Sequence, residues 1–259
     1  MKLQFKAVFI SPVRNCEKYI LKTIEKISNV ANIFSDYLII FIESDSSDNT
    51  LNLLNSVAQV NNKINVFSLG DLSKSFSSRT KRLEIARNYG LDICIKNNLF
   101  DYFDYYISFD SDDVNQGLTP EAVITCFKYD TSSWDVMTAN QDTYYDLWAL
   151  RCNGWMEEDC WRSVFMRPSF LTYNQAVDIH VSSKFIKIPE NFGLLEVDSA
   201  YGGFAIYKIS SIKNARYYGT HPDGKHEQVE IVGFNKDLKT NGAKIFINSE
   251  MRNDIIKNS

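Results

Sequence analysis

Four short apolar runs, at residues 5–10, 37–42, 64–69 and 105–109, alternate with three longer stretches, at 20–30, 51–60 and 82–96, whose apolar residues recur at three- and four-residue spacing. The short runs read as buried strands and the longer stretches as helices lying on a sheet. The order β-α-β-α-β-α-β predicts an α/β fold with a Rossmann-like, mainly parallel central sheet flanked by helices. In open sheets of this kind the ligand sits beyond the carboxyl ends of the strands. Three polar clusters fall there: Ser11-Pro12-Val13-Arg14-Asn15, Glu43-Ser44-Asp45-Ser46-Ser47-Asp48-Asn49-Thr50, and Asp110-Ser111-Asp112-Asp113.

Beyond about Thr119 the alternation gives way to shorter runs with frequent glycines, and the topology is not legible there. With no internal repeat, low-complexity linker or composition break, the 259 residues read as one continuous domain. A formal charge of −4 argues against a nucleic-acid binder, whose footprint is normally a basic face. No stretch has the ~20 apolar residues of a membrane-spanning helix, and no targeting segment is evident. The five scattered cysteines contain no CxxC pair, so reduced thiols in a cytosolic setting are expected rather than disulfides or a zinc site.

The sharpest feature is the apolar run 105–109 ending abruptly in Asp110, Asp112 and Asp113. Crowded like charges destabilise a fold unless a cation joins them. Mg²⁺ or Mn²⁺ prefers oxygen ligands and keeps positions open for substrate phosphates. The alternate spacing of Asp110 and Asp112 suits one carboxylate at the metal and the other at a ribose or metal-bound water. The bland alternative is that Asp112 and Asp113 make turns or cap a helix beginning at Thr119-Pro120-Glu121.

Glu43, at the end of the second run, is placed to accept hydrogen bonds from a base or ribose, unless it is simply a solvated loop residue. Asp48, Asn49 and Thr50 read as cap and first-turn residues of the next helix. In the most basic stretch, 78–88, Arg79, Arg82 and Arg87 fall on overlapping helix faces, suited to a diphosphate; solvated surface charge is the alternative.

Taken together these motifs resemble nucleotide-sugar glycosyltransferases of the GT-A fold. Ser11-Pro12-Val13-Arg14-Asn15-Cys16-Glu17 is similar to the "P-V-x-N-E" opening of that group. Glu43-Ser44-Asp45-Ser46-Ser47-Asp48-Asn49-Thr50 is similar to its "D-D-G-S-T-D-N-T" segment, and Ala86-Arg87-Asn88-Tyr89-Gly90 to its "A-R-N-x-G" helix. Asp110-Ser111-Asp112 is similar to its D-x-D strand end. The four motifs cover roughly the first 115 residues in the family's order. The second half is loosely similar to the fungal capsule-associated α-1,3-mannosyltransferase family. The resemblance implies a donor-binding half at 1–118 and an acceptor-binding, catalytic half at 119–259 of the same domain. It implies a metal-dependent enzyme moving a hexose or deoxyhexose from a nucleotide diphosphate sugar, UDP- or GDP-linked, to a glycan, lipid-linked or protein acceptor hydroxyl. Donor contacts fall to Ser11, Pro12, Arg14, Glu43, Arg79, Arg82, Asp110, Ser111 and Asp112, and Asp110 and Asp112 hold Mn²⁺ or Mg²⁺. A cytoplasmic protein, peripheral to a membrane when its acceptor is lipid-linked, is the expected setting.

Glycosyl transfer also needs an acceptor hydroxyl held near the anomeric carbon and, in an inverting enzyme, a base. Asp198, preceding Gly202-Gly203, is the leading base candidate, with Glu196 and Glu227 as substitutes; a loop cap explains Asp198 equally well. His221 or His226 is a candidate to complete the metal shell, against the default of a solvent-facing histidine. Tyr145, Asp146, Trp148 and Arg151, with the close approach allowed by Gly202 and Gly203, suit a sugar acceptor. Asp146 and Arg151 as a structural ion pair is the alternative. Two rivals stand beside this reading: a non-catalytic nucleotide-sugar or carbohydrate-binding protein, and a sugar nucleotidyltransferase. The latter usually carries a glycine-rich phosphate loop after the first strand, which Ser11 to Asn15 lacks.

Overall fold

The computed structural model describes residues 2–224 and 226–254. One eight-stranded sheet organises the chain, with strands β1 (Lys6–Val13), β2 (Asp36–Glu43), β3 (Ile64–Ser68), β4 (Tyr105–Phe109), β5 (Val136–Asn140), β6 (Leu194–Val197), β7 (Phe204–Lys208) and β8 (Ile245–Arg252) in the order β3-β2-β1-β4-β7-β5-β8-β6. β1 to β4 are mutually parallel; β7 runs antiparallel between β4 and β5, and β6 is antiparallel at the edge. The expected mainly parallel α/β sheet is therefore present, and the stretch after Thr119 contributes its remaining four strands.

The first-half helices are α1 (Ile20–Ala31), α2 (Thr50–Val60) and α3 (Arg79–Lys96). Strand alternation sorts the core. Val8, Ile10, Ile40, Ile42 and Tyr106 face the side packed by Ala86, Leu91 and Cys94 of α3. Ala7, Phe9, Ile39, Phe41 and Ile107 face the side packed by Ile20, Ile24 and Ile27 of α1. Removing each such large side chain from water contributes about 1.5–3 kcal/mol.

Two element bounds differ from the sequence reading, and both matter for the site. β1 continues through Ser11, Pro12 and Val13, pairing with β2 as far as Val13↔Glu43 although its register with β4 stops at Ile10↔Ser108. Beyond that point β1 and β4 part, which opens a crevice where the strand order reverses direction, the position at which doubly wound sheets bind ligands. α3 starts at Arg79 rather than Arg82, because the Ser78 hydroxyl accepts a hydrogen bond from the Lys81 amide at 3.1 Å and caps it.

All five cysteines are free and buried. Among the described residues no helix is long and apolar enough to cross a membrane.

Candidate active site

A cleft of about 410 Å³ occupies the crevice. Pro12, Val13 and Arg14 from the end of β1, Asp45 from the loop after β2, and Arg79, Arg82 and Arg87 from one face of α3 form its first wall. Asp110, Ser111 and Asp112 lie at its floor, where β4 ends. Tyr145, Asp146, Trp148, Tyr201 and Glu230 come from the second half of the chain to close the opposite side.

The floor is braced by a buried guanidinium. Arg87, 3% exposed, donates Nε to Glu230 Oε1 at 2.8 Å, Nη1 to Ser108 Oγ at 2.6 Å, and Nη2 to Asp110 Oδ1 at 3.0 Å. The Tyr201 hydroxyl donates to the same Asp110 oxygen at 3.1 Å. Burial alone would favour the neutral arginine, but Tyr201, Glu230 and Asp110 around it hold its pKa above the ordinary value, so it stays charged. Asp110 Oδ2 takes no hydrogen bond among the described residues.

Asp112 ends this floor, with Oδ1 accepting from the Val114 amide at 3.2 Å. Desolvation, then the neighbouring Asp110 and Asp113 charges, push its carboxyl up to about 6, with Val114 and Arg79 acting in the other direction. This acidic floor is therefore under-compensated as it stands. Among the described residues no group of three or more His, Cys, Asp or Glu side chains converges in a metal-holding cage.

The D-x-D loop is held in place from the far end of the chain. Gly203, with φ +81°, accepts the Asp110 amide at 2.9 Å through its carbonyl, which also takes Asn115 Nδ2 at 3.0 Å. A Cβ on Gly203 would stand 2.6 Å from Val114 Cγ1, so only glycine lets β7 enter this close to the carboxylates.

The chain matches the profile of glycosyl transferase family 2 over residues 8–213. It belongs to this family. A mannosyltransferase from Pyrobaculum calidifontis, solved with GDP-Man and Mn²⁺, superposes with a TM-score of 0.52 over 96% of this chain and 56% of its own, at 9% identity. Residues 1–349 of S. aureus TarS give a TM-score of 0.50 with UDP-GlcNAc bound, over 95% of this chain and 57% of that one at 14% identity. The UDP-bound form gives 0.50 over 95% and 59% at 15% identity. These likenesses establish the GT-A fold for the family 2 chain, which spans a little over half the length of each of these proteins. No curated protein matches it at a significant level.

The structure brings many of the residues singled out from sequence to this cleft and leaves others elsewhere. Pro12, Arg14, Arg79, Arg82, Asp110, Ser111, Asp112, Tyr145, Asp146 and Trp148 line it. Ser11 lies beneath the floor, buried, its hydroxyl 2.6 Å from that of Ser111. Arg82 is tied down by the Phe76 and Ser77 carbonyls, both at 2.8 Å, whereas Arg79 is exposed and makes no such bond. Glu43 is buried with its carboxylate spent internally, on the Ser46 amide at 3.0 Å and the Ser68 hydroxyl at 2.6 Å, so it braces the loop after β2. Asp45 takes the cleft position instead, at φ +60°.

Asp198 and Glu196 lie on the β6 side of the molecule, their side chains 66% and 63% exposed beside Lys239, outside the cleft. Glu227 is exposed opposite Thr220 and also lies outside it. His221 and His226 converge on Asp223, at 3.0 and 2.7 Å, rather than on the D-x-D carboxylates. Arg151 donates to the Trp148 and Leu150 carbonyls and faces Asp159, so it supports Trp148 from behind and makes no pair with Asp146. Asp146 Oδ2 accepts the Gly202 amide at 2.9 Å. Glu230 and Tyr201 had no distinguishing sequence signal of their own; the only clue was the buried partner that Arg87, placed among helix apolar residues, must have.

Proposed function

We propose that this family 2 chain transfers a sugar from a nucleoside diphosphate sugar, UDP- or GDP-linked, to an acceptor hydroxyl, assisted by a divalent cation at Asp110 and Asp112. The observation that carries the reading is the arrangement of one cleft: strand-end carboxylates on the floor, arginines on one wall, aromatic rings and a carboxylate on the other. Acceptors on lipids, glycans or proteins all suit this chemistry.

The donor set fits Mn²⁺ or Mg²⁺. Asp110 offers a free oxygen, Asp112 meets only a backbone amide, and two carboxylates are the usual protein share for an ion that fills its shell with water and phosphate. When bound, the ion supplies charge compensation for the departing diphosphate. Arg79 and Arg14 are then the flexible cations that reach the phosphates, while Arg87, locked beneath, fixes Asp110. The rings of Tyr145 and Trp148 offer apolar faces to a hexose. Asp146, anchored by Gly202 and free of an arginine partner, is the carboxylate we assign to the acceptor hydroxyl, as orienting group and proton acceptor.

The division into a donor half at 1–118 and an acceptor half at 119–259 is supported by the two walls, each drawn from one half. Five free, buried thiols support a reducing setting such as the cytosol.

The test is a thermal-shift screen of UDP, GDP, CDP and dTDP sugars, with and without Mn²⁺, on the intact chain and Asp112→Ala, followed by assay of diphosphate release. A donor that stabilises only with metal, and not in the variant, supports the reading. Metal-independent binding without turnover would leave a non-catalytic carbohydrate-binding protein.

A further inference from the structure

We propose that Asn253, just beyond the end of β8, is a positioning residue for the D-x-D carboxylates and sets their affinity for the divalent cation; the inference rests on the cation reading above. Asn253 and its partner Asn115 are fully buried, and Gln141 beside them is 2% exposed. Asn115 Nδ2 donates to the carbonyls of Asp110 at 2.9 Å and Gly203 at 3.0 Å, so it bridges the end of β4 and the start of β7. With both hydrogens spent there, Asn115 turns its Oδ1 to Asn253, whose Nδ2 donates to it at 2.8 Å.

The second Asn253 hydrogen goes to the Gly202 carbonyl at 2.7 Å, and Asn253 Oδ1 accepts Gln141 Nε2 at 2.9 Å. Gln141 sends its other hydrogen to the same Gly202 carbonyl at 3.0 Å. Every amide hydrogen of the three side chains is thus committed, and each side chain fixes the orientation of the next. Were Asn115 to turn over, its Oδ1 would face two carbonyl oxygens; the Asn253 donor holds it away from them. The Asn253 main chain completes the strap. Its carbonyl accepts the Gly117 amide at 2.9 Å, and its amide donates to the Asn140 carbonyl, at the end of β5, at 3.3 Å. One residue therefore holds the D-x-D segment at both Asn115 and Gly117.

The need for such a strap comes from the charges it carries. Asp110, Asp112 and Asp113 repel one another, and that force acts on the backbone of the loop between β4 and Gly117. Apolar packing could fill the same space without desolvating three amides, but it is non-directional and would let the loop slide. A fully satisfied polar network fixes direction as well as distance.

Asp110 is held from two sides as a result. Arg87 and Tyr201 occupy its carboxylate Oδ1, while Asn115 takes its carbonyl. With side chain and backbone both fixed, the remaining Oδ2 has a single direction in which to present itself to a cation. Residues that orient a metal ligand from behind contribute roughly ten- to hundredfold in metal affinity. Asn253 acts one residue further back, through Asn115.

The experiment is Mn²⁺ titration of the intact chain, with UDP and separately with GDP, followed by the paramagnetic resonance of the free ion. Beside it stand Asp112→Ala, Asn253→Ala, Asn253→Asp and the control Asn248→Ala, with urea unfolding read on the same samples. Asn248 on β8 is equally buried, and its Nδ2 donates to Thr125 Oγ1 at 2.8 Å and Cys126 Sγ at 3.2 Å, away from the cleft. Asn253→Ala should weaken Mn²⁺ binding about tenfold. Asn253→Asp, which turns an acceptor toward Asn115 Oδ1, should weaken it further. Asn248→Ala should lose stability and keep the Mn²⁺ affinity of the intact chain. Unchanged affinity in folded Asn253→Ala, or an equal loss in Asn248→Ala, would overturn the proposal and leave the cation site standing. No Mn²⁺ binding by the intact chain with either nucleotide, or binding undiminished in Asp112→Ala, would instead overturn the cation reading and the proposal with it.

Discussion

Arg87 and Asp110 stand 3.0 Å apart at the floor of the cleft, and the arginine holds Glu230 from its other edge at 2.8 Å. Residues 87, 110 and 230 come from α3, the end of β4 and a helix near the end of the chain, so one guanidinium fastens three separate segments. Removing it leaves two carboxylates and a serine hydroxyl facing an emptied site. Arg87→Ala should therefore lower the unfolding free energy by about 3–5 kcal/mol, measured by urea denaturation. Arg87→Lys, which keeps the charge but not the planar fork, should recover only part of it. A loss below about 1 kcal/mol in the alanine variant would show that the network is dispensable.

Asp146 makes a pH prediction. Burial, partly offset by the Gly202 amide and reinforced by Asp110, raises its carboxyl from the ordinary 3.8 to about 6. The folded chain thus binds this proton more tightly than the unfolded one. Its contribution favours folding at low pH and is lost as pH rises from about 4 through 6, amounting at neutral pH to a penalty on the order of 3 kcal/mol. Asp146→Asn should flatten that part of the stability profile and raise the melting temperature at pH 7, while lowering kcat by about 10²-fold or more. Asp198→Asn, altering an exposed group outside the cleft, should leave kcat unchanged.

Arg79 and Arg82 should separate cleanly. Arg79→Ala removes an exposed cation, so stability should stay within about 0.5 kcal/mol of the parent while donor affinity falls about tenfold, read by calorimetric titration. Arg82→Ala releases the Phe76 and Ser77 carbonyls and should also cost stability, by about 1–2 kcal/mol. Equal effects of the two on both readouts would contradict the assignment.

Gly203→Ala tests the scaffold of the carboxylates. The positive φ and the 2.6 Å approach to Val114 together predict a loss of about 1–3 kcal/mol in thermal or chemical unfolding. Because the displaced Val114 amide is the one that Asp112 accepts, Mn²⁺ binding by the refolded variant should weaken as well.

The first half of the fold was legible because its strands are compact apolar runs and α1 and α2 each carry one apolar face, although α3 shows little such bias. Residues 105–109 form β4 as read, and the sheet's switch point follows from strand order alone. The Ser11–Val13 extension of β1 was hidden by Pro12, which reads as the end of a strand yet sits where the register with β4 has already stopped. The D-x-D floor could be seen as a charge pattern at a strand end. Asp198 and Glu227 could not be judged, since an acidic residue near glycines looks the same whether it faces a cleft or the solvent. Glu43 was hard to judge for a related reason: its position at the end of β2 is conspicuous, but only the fold reveals that it is buried and accepts from the Ser46 amide and the Ser68 hydroxyl.

β7 enters the sheet antiparallel, so its start, and not its exit, stands beside the end of β4. The chain can leave the carboxylates at Asp110, wander for some ninety residues, and still deliver Gly203 to their side by a single ladder of fixed register. Within that excursion Asn115, Asp146, Tyr201 and β5 are tied to the floor or to β7, whereas the helical hairpin of Cys160–Phe165 and Tyr173–His180 is not and can lengthen, shrink or change character without disturbing it. The arrangement uncouples the carboxylate floor from the hairpin and leaves the hairpin free to diversify.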